Sequence, residues 1–339
     1  MSGFDSASHV LRDAIAARVF PAAAAEVGAS AGVLWQEALG TLTFDETSGV
    51  TDIDTPFDLA SLTKVIATAT GVMRLVRDGA LRLDEAVSSF FAEWRGPDRE
   101  SVTVRDLLEH ASGLSARLVD PPGEGRREFE HDICTMLLEY PPRSGSIYSD
   151  LGFILLGFMV ADRGGRLTAH EGMTFTLSAA ARRRAAPTMA MDEDLRRGEI
   201  LAGEVHDNSA AALGGVAGHA GLFGPAPAVG AFARTVLRAA RGDTSMPRPF
   251  SPELVRAFTS KSTVPGSSRA LGWDTMLPTS SCGTGMAPSA FGHVGFTGTS
   301  LWIDPERDRY FVLLTNRVCG GGTIDQMRDV RRVFHDALA

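Results

Sequence analysis

The sequence predicts an α/β (α+β) fold in which both ends of the chain build one antiparallel sheet and a mainly helical region is inserted between them. Three observations carry this expectation. β-rich runs bounded by turn residues lie near each terminus, at 22–27 and 32–44 and again at 291–304 and 309–318. The stretch between them places apolar residues at helical spacing, most clearly at 59–77 and 151–163. Hydrophobic residues make up 44% and charged residues 22% of the 339, which supports a substantial core and excludes a disordered chain.

Taken in order, residues 5–19 put Val10, Leu11, Ile15 and Val19 on one side of a helix. Gly28-Ala29-Ser30-Ala31 makes a tight turn between the two N-terminal strands. Over 59–77 the apolar stripe is Leu62, Val65, Ile66, Ala69, Val72, Met73 and Val76, and Asp78-Gly79 stops it. Helices are expected at 102–109, 130–139 and 151–163, separated by Pro- and Gly-rich loops at 120–125 and 141–145. A further Ala/Arg-rich helix falls near 227–241 and a further strand at 270–277. Pro305-Glu-Arg-Asp reads as the hairpin between the two C-terminal strands, and 323–338 as a closing helix. Residues 1–58 and 268–339 would then form the sheet subdomain and 59–267 the mainly helical one, together a single domain.

Net charge is −8 and the pI about 5.5, which argues against a phosphate-backbone partner, so no nucleic acid is expected. Arg182-Arg183-Arg184 is either a weak anion patch or a solvated face. Cys134, Cys282 and Cys319 are far apart and odd in number, supporting neither a zinc ribbon nor a disulfide framework. Acidic residues interrupt the N-terminal stretch early and no continuous apolar segment follows, so no signal peptide is read there. No run approaches the ~18 apolar residues of a membrane span. The expectation is a soluble, reduced, cytoplasmic protein, or a periplasmic one had a leader been removed.

Ser61-Leu-Thr-Lys64 is the first candidate for chemistry. A serine and a lysine three apart on a helix share a face, and a lysine can serve as base if desolvation or a neighbouring cation lowers its pKa. A helix N-terminus at Ser61 would also favour an oxyanion. Chance alone gives an SxxK in a chain with 26 serines and two lysines at a probability of about 0.15, so the motif needs company. The other basic residues are arginine, which cannot act as a base. Tyr148-Ser-Asp150 is the second candidate: a tyrosine hydroxyl near two cations can shuttle a proton, although Asp150 also reads as a plain helix N-cap. The third is His293-Val-Gly295-Phe296-Thr-Gly298. Strand glycines there mark either a close approach of backbone to ligand, with a second oxyanion N–H and a ligand-facing His293, or simple bulges.

Ser61-x-x-Lys64, Tyr148-x-Asp150 and His293-x-Gly295, in that order, resemble the penicillin-recognising serine hydrolases, specifically the class C β-lactamase-related family. The connecting segments agree, including Leu107-Leu-Glu-His-Ala-Ser-Gly-Leu114 and the glycine-rich Leu213–Phe223. The resemblance covers about residues 20–335. It implies the β-lactamase/transpeptidase-like fold, with an antiparallel sheet flanked by helices plus a helical subdomain, and acyl transfer without a cofactor. It implies Ser61 as nucleophile, Lys64 as its partner base and Tyr148 as second general base. It also implies an oxyanion hole from the N–H groups of Ser61 and Phe296. The expected partner is a small-molecule or short-peptide substrate carrying an ester, amide or D-amino-acid peptide.

Two departures stand out. Asp150 occupies a position where these enzymes usually carry asparagine, and His293 replaces a lysine that attracts the β-lactam carboxylate. Both lower the positive charge of the site, so weak β-lactam turnover is expected. Gly28-Ala-Ser30-Ala-Gly32 fits the G-x-S-x-G nucleophile elbow, but the strand after Ser30 and the short chain before it favour a hairpin turn. A catalytically silent ligand binder of the same fold is the remaining alternative. Metal catalysis has little support: His131, His170 and His206 stand beside single acids without HExxH spacing and read as surface or capping residues. His219, set among glycines, is either at the cleft rim or a buried structural histidine.

Overall fold

A computed structural model describes residues 2–118, 123, 125–192 and 194–339. The strands are β1 Ala22–Ala29, β2 Gly32–Gly40, β3 Phe57–Asp58, β4 Thr188–Met189, β5 Ile200–Leu201, β6 Phe223–Gly224, β7 Asp274–Thr275, β8 Phe291–Val294, β9 Ser300–Asp304 and β10 Arg309–Thr315. Six of them form one antiparallel sheet in the order β2-β1-β10-β9-β8-β7, while β3 pairs with β6 and β4 with β5. The helices are α1 Gly3–Ala16, α2 Thr70–Arg77, α3 Val104–Leu108, α4 Arg126–Thr135, α5 Asp150–Asp162, α6 Ala179–Arg182, α7 Asn208–Ala212, α8 Ala226–Ala240, α9 Pro252–Thr259, α10 Arg317–Gly320 and α11 Ile324–Leu338. The sheet thus draws its strands from both ends of the chain, as the sequence predicts.

The sheet is covered on both faces, and the period-2 alternation of β1 shows how. Ala22 and Ala24 join the large core that contains Phe232 and Val236 of α8. Ala23 and Ala25 face the opposite way and pack with Leu11 of α1 and Phe334 of α11. β10 repeats the division, with Val312 and Leu314 on the first side and Leu313 on the second. Two-sided burial is why the N-terminal strand reads as an apolar run broken only by Glu26, itself buried and bonded to Tyr310 at 2.7 Å. Truncating fully buried Phe334 to alanine would cost roughly 3–5 kcal/mol by cavity formation. Capping boxes, Ser2 with Asp5 and Thr323 with Gln326, start the two helices of that layer.

Several expected elements are shorter or shifted, each for a local reason. The strand expected at 32–44 ends at Gly40, which takes φ +80°. The helix expected at 102–109 begins only at Val104, where Thr103 and Asp106 form a capping box. The helix expected at 130–139 runs from Arg126 to Thr135, because Met136 is extended. The strand expected at 270–277 shrinks to two residues after Gly272 turns at φ +87°. The run 291–304 is not one strand: a turn at 295–299 divides it into β8 and β9. The expected loop at 120–125 lies outside the described residues apart from Gly123 and Gly125. Among the described residues no helix is long and apolar enough to cross a membrane.

Candidate active site

The chain approaches Ser61 through a backbone held out of its ordinary range. Ala60 takes φ +47°, a left-handed conformation that a residue with a Cβ keeps only when its surroundings enforce it. Asp58 does so: its Oδ1 accepts the Ala60 N–H at 2.8 Å and its Oδ2 the His206 N–H at 2.7 Å. Burial pushes the Asp58 carboxyl up to about 6, against the pull of those two bonds. Ser61 then stands immediately before the helical turn that opens at Leu62. Lys64–Ala69 is wound as a π-helix before α2 begins, a widening that concentrates at functional sites.

Lys64 is fully buried, and all three of its ammonium protons have acceptors. They reach Ser61 Oγ at 3.1 Å, Asp150 Oδ1 at 2.6 Å and the His219 carbonyl at 3.1 Å. Desolvation pulls the Lys64 pKa down, but the Asp150 carboxylate and Tyr148 outweigh it and hold the group above its ordinary value. Lys64 is therefore a charged donor. The condition for a lysine base, a pKa lowered by desolvation or a neighbouring cation, is not met in this geometry, because the carboxylate partner outweighs the desolvation.

Tyr148 projects from the loop that leads into α5. Ser149, not Asp150, is the N-cap of that helix: its Oγ accepts the Gly152 N–H at 3.4 Å and donates to the Ser115 carbonyl at 2.6 Å. Asp150 is thereby free to turn to Lys64, which corrects the plain N-cap alternative. The buried Tyr148 hydroxyl has no hydrogen-bond partner among the described residues. Burial raises its pKa, and Lys64 draws it part of the way back. Two cations flank its ring, Lys64 Nζ and the Arg269 guanidinium, each 4.9 Å from the centroid. The His110 ring lies 4.7 Å away on one side and His293 5.7 Å on another.

His293 is buried on β8, with Nδ1 2.9 Å from the Val294 carbonyl. That contact assigns the proton to Nδ1 and leaves Nε2 a bare acceptor without a partner. Burial, then repulsion from Arg269 and Lys64, holds the imidazole well below its ordinary pKa and hence neutral. Beyond it, the 295–299 turn is tied to the segment preceding Ser61. Thr297 Oγ1 donates to the Asp58 carbonyl at 2.8 Å and Thr299 Oγ1 to the Leu59 carbonyl at 3.0 Å. A Cβ at Gly295 would stand 2.1 Å from Thr299 Oγ1 and 2.8 Å from the Leu59 carbonyl, so only glycine permits the approach. The backbone N–H groups of Ser61 and Phe296 both lack a partner among the described residues.

His219 does not reach the cleft with its ring. The side chain is buried, with Nε2 2.7 Å from Asp207, and its contribution to the site is the carbonyl that accepts from Lys64. The surrounding glycines serve packing: a Cβ at Gly218 would lie 2.0 Å from the Phe153 carbonyl of α5. His206 is buried as well and stacks on Phe296 at 5.6 Å, so its reading as a surface or capping residue is corrected. Ser30 lies in the β1–β2 turn with its hydroxyl bonded to Asp308 at 2.9 Å, away from the groups above.

A cleft of about 720 Å³ is lined by Ser61, Tyr148, Asp150, His293, Gly295 and Phe296. Five of the eight candidate residues thus line the cleft together with Ser61, Lys64 is buried in contact with Ser61, and only the His219 ring is elsewhere. The family profile described as Beta-lactamase matches residues 8–332. The chain belongs to the beta-lactamase family. Among its relatives is the "Putative D-alanyl-D-alanine carboxypeptidase" of Escherichia coli (strain K12), 29% identical over 306 residues that span 78% of this chain and 69% of that protein. A class C beta lactamase from Rhodobacter sphaeroides superposes with a TM-score of 0.76 at 16% identity, covering 98% of each chain. EstCE1, a hydrolase with promiscuous acyltransferase activity, superposes at 0.73 with 18% identity over 97% of this chain and 98% of that one. At these identities the superpositions speak for a shared β-lactamase/transpeptidase-like fold alone.

Sequence reasoning missed three members of this family site. Arg269 lines the cleft beside His293 and Tyr148, and its nearest acid, Asp274, is 3.9 Å away. A lone arginine ahead of a two-residue strand carries no sequence signal. Asp58 stands three residues before Ser61 and His110 inside the quoted 107–114 segment, but their tasks, one holding Ala60 and the other accepting the Ser149 N–H at 3.0 Å, are three-dimensional.

Proposed function

We propose that this chain transfers acyl groups from an ester, amide or D-amino-acid peptide to water through a covalent Ser61 ester. The observation that carries the reading is Ser61 Oγ 3.1 Å from a buried, carboxylate-paired Lys64, beside a Tyr148 hydroxyl with no other partner. Lys64 fixes Ser61 by donating to it, so the serine proton has to leave toward another base. Tyr148 in its phenolate form takes that proton, the charge being supported by Lys64 and Arg269. Oγ adds to the acyl carbon, and the carbonyl electron pair moves onto oxygen, between the N–H groups of Ser61 and Phe296. Collapse breaks the bond to the leaving group, which takes the proton from Tyr148. Water repeats the sequence, losing its proton to Tyr148, and Ser61 is released with that proton.

The charge pattern of the cleft modifies the substrate expectation. Asp150 is neutralised by Lys64, and Arg269 supplies a cation near the neutral His293. Arg269 thus offers a substrate carboxylate the positive charge that His293 lacks, so a carboxylate-bearing peptide or ester is accommodated.

A phenolate base gives this reading a test. Because the Tyr148 pKa is raised above its ordinary value of 10.0, the active fraction grows about tenfold per pH unit throughout the neutral and mildly alkaline range. The expected kcat/KM for a p-nitrophenyl ester rises with unit slope from pH 6 to 9. A plateau from about pH 7, as a histidine base would give, rejects Tyr148 as the base.

A further inference from the structure

Behind the 295–299 turn lie two arginines with no carboxylate within ion-pair reach among the described residues. Arg331 of α11 is buried and donates its Nη2 protons to the Gly295 carbonyl at 2.7 Å and the Thr299 carbonyl at 2.9 Å. Its Nε has no partner. Arg317 of α10, also buried, donates Nε and Nη2 to the Phe296 carbonyl at 3.3 and 2.6 Å and Nη1 to the Gly322 carbonyl at 2.7 Å. Its guanidinium lies 4.8 Å from the centroid of the Phe296 ring. Both arginines border the cleft that holds Ser61.

Burying a cation without a counter-ion opposes folding, and removing the charge is the usual relief. Burial pushes Arg331 down to about 9, with Arg317 adding repulsion. A fold that keeps two such cations side by side has no static anion to justify them. The peptide that Arg331 holds is, however, the one between Gly295 and Phe296. In a trans peptide the carbonyl and the N–H point in opposite directions. A guanidinium on the Gly295 oxygen therefore draws electron density along the peptide toward itself. It fixes the plane and makes the Phe296 N–H, which has no other partner, a stronger donor on the cleft side.

We infer that Arg331, seconded by Arg317, is a positioning and polarising residue for the oxyanion hole, its missing counter-ion being the negative oxygen that forms during acyl transfer. The inference rests on the Ser61 reading, with the Phe296 N–H as oxyanion donor. Arg331 touches no substrate. It acts through one peptide bond, so its effect appears where the oxygen carries charge and is absent where the acyl carbonyl is neutral.

The test compares Arg331→Gln, which keeps a donor and loses the charge, with Arg331→Lys, which keeps the charge. Acylation by a p-nitrophenyl ester and the Kd of an arylboronic acid, which forms a tetrahedral anion on serine, are measured for each. Arg331→Gln is expected to slow acylation about 10- to 100-fold, below the loss of a whole oxyanion donor. Its boronate Kd rises by a similar factor while the ester KM stays within about twofold, and Arg331→Lys recovers most of the rate. A merely structural residue would disturb KM and kcat together, and the lysine would not rescue. Should Arg331→Gln not fold, Arg317→Gln removes the second charge without touching the Gly295 carbonyl and is expected to show the same split at several-fold size. Unchanged acylation and boronate affinity in the folded charge-loss variant overturn the inference. The underlying reading fails differently, by an ester or boronate adduct that persists in Ser61→Ala.

Discussion

Replacing Asp150 by asparagine removes the only carboxylate bonded to Lys64 among the described residues and leaves a near-isosteric side chain in its place. At 2.6 Å and an effective dielectric of 20, the lost attraction is about 6 kcal/mol. The loss cannot be realised in full, because the lysine has an escape: giving up a proton of ordinary pKa 10.5 at pH 7 costs only about 5 kcal/mol. The amide oxygen of asparagine also keeps a hydrogen bond worth about 1–2 kcal/mol. A destabilisation of about 3–4 kcal/mol at pH 7 is the expected result. Its pH dependence has a definite sign. In the native protein the Lys64 pKa is raised, so its stabilisation is complete below the unfolded value and is lost only as pH climbs past it. In Asp150→Asn the folded pKa falls below 10.5, the unfolded chain binds the extra proton, and stability rises with pH toward 10. Urea unfolding of both proteins at pH 7 and 9.5 measures this, and the gap between them should narrow by at least 1 kcal/mol. The same variant gains a neutral lysine able to take the Ser61 proton, so its kcat/KM should depend less steeply on pH. A stability gap independent of pH, together with an unchanged rate profile, refutes the assignment of Lys64 as an ion-paired cation.

Other consequences can be measured on the same footing. Tyr148→Phe should lower acylation about 10²- to 10⁴-fold with little change in unfolding midpoint, since the lost hydroxyl has no hydrogen-bond partner; a loss under threefold removes it from the proton path. Gly295→Ala forces a Cβ against Thr299 and the Leu59 carbonyl. It should reduce ester turnover at least 10-fold by moving the Phe296 N–H and cost about 1–3 kcal/mol in denaturant unfolding; unimpaired activity would separate that turn from the chemistry. Arg269→Gln should raise KM about 10-fold for a substrate bearing a carboxylate and leave the KM of a neutral ester unchanged, while kcat falls for both as the Tyr148 phenolate loses a supporting charge. Equal KM changes for both would remove Arg269 from carboxylate recognition.

How much of this was legible in the sequence follows from how local each signal is. Ser61 and Lys64 sit one helical turn apart, so their contact is written in the spacing itself. Tyr148 and His293 carry no such proof alone, and became readable through the order of motifs shared with a family. What escaped was nonlocal or geometric. The π-helical turn at Lys64–Ala69 leaves no mark on a 3.6-residue apolar stripe. The break in 291–304 depends on threonines reaching back to residues 58 and 59, more than 230 positions away. Which side of the lysine-base condition Lys64 falls on is not legible either, because it depends on a 2.6 Å contact with Asp150, 86 positions away. The alanine-rich first strand, by contrast, is legible as a strand from its composition, although its burial on both faces emerges only from the packing.

The most direct measurement of the central claim is the intact mass of the protein and of Ser61→Ala after exposure to a p-nitrophenyl ester and, separately, to a β-lactam. The predicted result is an acyl adduct on the native chain, located to the peptide containing Ser61, more abundant with the ester and absent from the variant. An adduct that survives in Ser61→Ala places the nucleophile elsewhere, and none with either compound while binding is retained leaves a ligand binder built on this fold; either result contradicts the account.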